Sequence, residues 1–211
     1  MRRMLFEKTG RAIWMSHLDT MRLMQCAFRR AGVVLHHSQG YTPHAYVSML
    51  LPLSVGTESV CEIMEYELDA DIVIRPEDMN AVLPEGVCVR EVYESGRKAK
   101  YLTQLDVTMT LQFDAEAPTA QDVGALFSRE TLLVEKRTKR GMEEADIRPL
   151  IFRVELREEQ QSICLSARIA AQNPSLNPML LASAVERYLK KPTLVTCRRL
   201  EVYDAEGEVF R

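Results

Sequence analysis

The sequence predicts an α+β protein of two similar halves with antiparallel sheets. Three observations carry this: apolar residues at helical spacing near positions 19–31 and 178–189, short β-rich runs around them, and an element order met twice along 211 residues. A chain of this length can bury two cores without covalent staples.

Residues 3–15 hold Met4, Phe6, Ile13, Trp14 and Met15 around Thr9-Gly10, which reads as a strand with a bend. From 19 to 31, Met21, Leu23, Met24, Ala27 and Phe28 fall on one helical face, Arg22, Gln25, Arg29 and Arg30 on the other, and Gly32 supplies the stop. Residues 33–35 and 46–53 read as extended pieces split by the polar loop Ser38-Gln39-Gly40-Tyr41-Thr42-Pro43-His44. Residues 58–68 mix apolar and acidic positions like a half-exposed strand, Pro76 opens a short helix, and 87–93 close the half as a strand. The order is β-α-β-β-α-β, the split arrangement called ferredoxin-like.

The second half repeats that order less clearly. Strands are expected at 104–113, 131–136, 150–156, 163–170 and 194–203, with helices at 119–127 and 178–189, the latter behind the cap pair Asn177-Pro178. One strand is left over, and the basic, Gly-containing run Lys136-Arg137-Thr138-Lys139-Arg140-Gly141 reads as a connection. We place the halves at 1–98 and 99–211, with the linker between 96 and 103.

Apolar residues make 46% and charged residues 27% of the chain, which excludes a fibrous or mainly disordered protein. The net charge of -3 gives no global field toward nucleic acid, so any such contact is local. Five cysteines without a CxxC pair read as core thiols. With no signal peptide or long apolar run, they point to the cytoplasm and no membrane.

All four histidines, His17, His36, His37 and His44, fall in the first 44 residues. Ser16, His17 and Asp19 stand at a strand-to-helix junction, where free N–H groups favour an anion and Asp19 is equally an ordinary cap. Ser38, Gly40, Tyr41, His44 and Ser48 make up a binding-loop candidate, and His17, Asp19 and His44 are the catalytic candidates, imidazole being suited to proton transfer near neutral pH. Arg22, Lys136, Arg137, Lys139 and Arg148 could hold phosphates, as of RNA. No HxxxH or HExxH spacing promises a metal, and no Walker or GxSxG signature is present.

Three segments, KTGRAIWMSHLDTMRLMQCAFRRAG, SQGYTPHAYVSMLLPLSVGTES and KRTKRGMEEADIRPLI, resemble the radical SAM-linked family, a domain of unknown function, in its stand-alone form. The chain departs from its pattern at Ala45 and Tyr46, where the family leads one to expect a Pro-Arg pair. The resemblance implies an accessory that binds or presents substrate to a radical SAM protein in RNA or ribosome-associated modification. The S-adenosylmethionine and iron-sulfur cluster would then be the partner's, since this chain has no CxxxCxxC run and is expected to bind no cofactor. Two other readings stand beside it: an RNA-modifying or RNA-cleaving enzyme using His/Asp acid-base chemistry, and a protein-protein adaptor.

Overall fold

The computed structural model describes every residue except Ala115, Lys139 and Arg140, and only the backbone at Thr138. The chain divides into two compact units, one of residues 1–99 with Arg211, the other of residues 100–210. Both are mixed α and β with antiparallel pairing.

In the first unit, β1 (Arg2–Lys8), α1 (His17–Arg30), β2 (Val47–Met49), β3 (Glu58–Tyr66), α2 (Pro76–Asn80) and β4 (Val87–Glu94) follow in that order. The sheet order is β4-β1-β3-β2, each pair antiparallel. Met4, Phe6, Met64, Val87 and Val89 of the sheet bury against Met24, Ala27 and Phe28 of α1, so the apolar stripe read from spacing is the face that packs.

Three expectations are corrected here. The first strand stops at Lys8 and residues 10–14 form a 3-10 turn, because the buried Lys8 ammonium draws the carbonyls of Met15 (2.6 Å) and Ile13 (3.5 Å) back onto the strand end. Residues 33–35 and 46–53 contribute only a bridge, Leu35 to Leu68, and the short β2, since Pro52 has no N–H to extend the ladder. β3 is mostly buried rather than half-exposed. Two of its acids face buried cations: Glu65 accepts two bonds from Arg3 (3.0 and 2.7 Å), and Glu62 lies within the field of Lys8.

In the second unit β5 (Gln104–Gln112), α3 (Ala120–Phe127), β6 (Leu133–Thr138), β7 (Gly141–Asp146), β8 (Ile151–Glu159), β9 (Ser162–Ala170), α4 (Met179–Tyr188) and β10 (Leu194–Tyr203) follow in order. The main sheet runs β10-β5-β9-β8, antiparallel throughout. The leftover strand and the basic connection resolve together: β6 and β7 pair as a separate hairpin inserted between α3 and β8. Removing that hairpin leaves β-α-β-β-α-β with the second unit's strands in the same relative sheet order as the first's. Asn177 caps α4 as expected, accepting from the Met179 N–H at 3.0 Å.

The cysteines are all free, but only Cys61 and Cys197 are buried, and Cys26 is exposed on α1. Among the described residues no helix is long and apolar enough to cross a membrane.

Candidate functional site

The start of α1 is fixed from below by Lys8 and from the front by Ser16. The Ser16 hydroxyl donates to Asp19 Oδ2 at 2.6 Å and accepts from the Asp19 N–H at 3.2 Å. That hydroxyl holds the Asp19 carboxyl below its ordinary range, helped by the backbone bond and by Arg22 at 3.6 Å. Asp19 therefore serves the helix start. His17, half-buried, occupies the first helical position, and among the described residues no bond joins it to Asp19.

Trp14 ends the 3-10 turn just before this cap with 70% of its surface exposed. Its ring edge lies over Gly56, where an added Cβ would come 3.5 Å from Cζ3, and the Gly56 N–H donates to the Ile13 carbonyl at 2.9 Å. The indole is held at one edge and open on its face. From sequence it reads as part of a strand, and its exposure is not foreseen there.

The loop of Ser38, Gly40, Tyr41 and His44 is closed at its base. The Ser38 N–H donates to the His44 carbonyl at 2.8 Å, the His44 N–H to Ser38 Oγ at 3.0 Å, and His37 bridges Ala45. Tyr41 projects fully into solvent. Beneath it, His36 Nδ1 is 2.6 Å from Asp69 Oδ1 and its ring stacks on Tyr46 at 5.2 Å. Ser48 lies exposed on β2 opposite Glu65.

These two segments do not converge. Lys8 is paired with Ser59 and Val87 at one end of the sheet, and Arg2 with Tyr66 at the other. α1 starts at the Lys8 end, whereas the loop enters β2 at Val47, opposite Tyr66, beside the bridge of Leu35 to Leu68. His17 and Asp19 are thus set apart from His44, and the register does not bring Asp19 and His44 together.

In the second unit, Lys136 and Arg137 are exposed on the hairpin, opposite Glu143 and Met142, with Glu135 opposite Glu144. Acids alternate with the bases, so this is a mixed rather than a purely basic surface. Lys139 lies outside the described residues. The Arg148 guanidinium donates to the Ile151 carbonyl at 2.8 Å and its N–H to Asp146 Oδ1 at 3.0 Å, so Arg148 shapes the turn after β7. Among the described residues, no three His, Cys, Asp or Glu side chains gather as metal ligands.

A family described as an uncharacterized protein conserved in bacteria (DUF2344) matches residues 2–178. The chain belongs to this family. No curated protein matches it. Solved structures similar in fold are a Cbf5-Nop10-Gar1 complex, with 8% identity and a TM-score of 0.56 over 97% of this chain and 50% of that one, and an H/ACA RNP bound to a substrate RNA containing 2'-deoxyuridine, with 7% identity and 0.51 over 94% and 46%. A third, an archaeal box H/ACA sRNP Nop10-Cbf5 complex, has 8% identity and 0.50 over 94% and 46%. The DUF2344 chain spans half or less of the length of those it matches, and the likeness is one of fold.

Proposed function

We propose that this DUF2344 protein is a cytoplasmic RNA-binding accessory that presents its RNA to a radical SAM enzyme, with the Trp14 end of the first unit as the contact. The observation that carries the reading is Trp14: an indole held at its edge and 70% exposed is a ready stacking platform, and stacking of one base is worth about 1–3 kcal/mol. Exposed Arg11 and Arg22 at the same end can meet phosphates. Support comes also from the fold likeness to chains of RNA-protein complexes, one of them bound to a substrate RNA. The β-α-β-β-α-β order of both units suits the ferredoxin-like reading. The sequence resemblance supports the radical SAM partner, which would supply S-adenosylmethionine and the iron-sulfur cluster.

The test is filter binding of single-stranded RNA at two salt concentrations. Trp14→Ala should weaken binding roughly tenfold. Arg11→Ala, at an exposed base of the same end, should lower the salt slope by about one. RNA binding that is absent, or unchanged in Trp14→Ala, would sink the proposal.

A further inference from the structure

In the second unit the end of α3, Arg148 and the first half of β8 enclose a cavity of about 180 Å³. Its walls carry two arginines, Arg148 and Arg153, and among the described residues no carboxylate. Arg148 opens the 3-10 turn of residues 148–150, which Pro149 stiffens. The Arg148 side chain is half-buried and donates through Nη1 to the Ile151 carbonyl at 2.8 Å, a neutral acceptor that fixes its place without cancelling its charge. Asp146, two residues earlier, is taken up by backbone: its Oδ1 accepts from the N–H groups of Leu132 at 2.8 Å and Arg148 at 3.0 Å. Among the described residues no carboxylate pairs with the Arg148 guanidinium. Arg153 pairs with Glu155, which stands outside the lining. A half-buried cation without a counter-ion is costly, and an anion in the cavity offsets that cost.

The dimensions and the chemistry narrow the anion. A guanidinium presents its N–H groups in a planar fork that two oxygens of one phosphate match. The cavity is smaller than the roughly 300–1,000 Å³ usual for a drug-sized ligand, so it encloses a phosphoryl group and few further atoms. Phe152, 53% exposed and also in the lining, offers an apolar face to whatever carbon body the phosphate carries. We infer that this cavity is a binding site for a phosphate monoester, with Arg148 forking onto the phosphoryl oxygens and Phe152 against the organic part. The inference does not rest on Trp14, which belongs to the other unit.

Isothermal titration of the full chain with 5′-AMP and with inorganic phosphate at constant ionic strength tests this. Native protein should bind both, AMP the more tightly. Arg148→Lys keeps the charge but loses the fork, and should weaken AMP binding about tenfold. Ser128→Glu, at an exposed position of the lining, sets a carboxylate beside the cavity and should weaken both ligands at least as much, with a near-native urea midpoint to show that the fold is kept. Phe152→Ala should bring AMP down to the affinity of phosphate and leave phosphate unchanged. Trp14→Ala should bind AMP as the native chain does. In that background, a 5′-phosphorylated oligonucleotide that outbinds AMP identifies an RNA end as the source of the ester, and one that does not identifies a free small ester. No binding by the native chain, equal binding of AMP and adenosine, AMP binding lost in Trp14→Ala, or native-like binding by both Arg148→Lys and Ser128→Glu would each overturn the inference.

Discussion

Ser16 shows how one side chain can serve folding and placement together. Its hydroxyl satisfies a free N–H of α1 and holds Asp19, so Ser16→Ala should cost about 1 kcal/mol in chemical denaturation while leaving the fold intact. Asp19 has a depressed pKa, so its contribution is present above the ordinary carboxylate range and disappears as pH falls through that range. The loss of stability between neutral pH and pH 3 should therefore be shallower in Asp19→Asn than in the native chain, read by denaturant midpoint. From sequence the helix starts at residue 19 with Asp19 as its cap, whereas the cap is Ser16 and the helix begins at His17, a local Ser-x-x-Asp pattern. Trp14 was not legible, because its exposure depends on Gly56, which lies far along the chain and meets it only through the fold. The same holds for His36 and Asp69, paired across 33 residues.

Among elements, the helices were the most legible, since an apolar stripe at 3.6-residue spacing records its own packing face. Strands read less well wherever charge is buried, as in β3, or exposed on both faces, as in the inserted hairpin, where no alternation marks the pairing. The junction of β1, the 3-10 turn and β4 depends on Gly86. It has φ +87, and a Cβ there would come 2.5 Å from the Thr9 carbonyl oxygen and 3.0 Å from Ala12 Cβ. The Thr9 N–H already donates to the Gly86 carbonyl at 2.8 Å, so the backbone cannot simply retreat. Gly86→Ala should destabilise the protein by about 2–3 kcal/mol, measured by thermal unfolding, and should lower RNA affinity by displacing the turn that carries Trp14. The hairpin is tied to α4 by Arg187 to Glu144 at 2.6 Å and by the Tyr188 hydroxyl to the Leu133 carbonyl at 3.0 Å. Replacing these two contacts should free the hairpin with less effect on the main sheet, visible as faster amide exchange confined to residues 133–146.

For the molecule as a whole, alkaline stability is set by buried acids in both units. Burial raises the Cys197 thiol from 9.0 to about 11 and the Tyr66 phenol from 10.0 to about 12, so the unfolded chain ionises first and stability falls as pH climbs past 9. Lys8 acts the other way, because its folded pKa is lowered and its burial cost is relieved toward pH 10.5. Cys197→Ala should reduce the loss between pH 8 and 11 by up to about 2–3 kcal/mol, followed by urea unfolding. At this scale the mixed α+β class was readable from element order, whereas the separation of the histidine cluster into two sites was not, because sequence proximity says nothing about which end of a sheet a segment reaches. That separation has a quantitative side. The 7 residues of β1, rising about 3.3 Å each, run roughly 20 Å from the Arg2 end to the Lys8 end, so this strand is the ruler. The start of α1 and the entry to β2 are tied to opposite ends of the sheet, and their spacing is written in the length of one strand rather than in the turns of the helix.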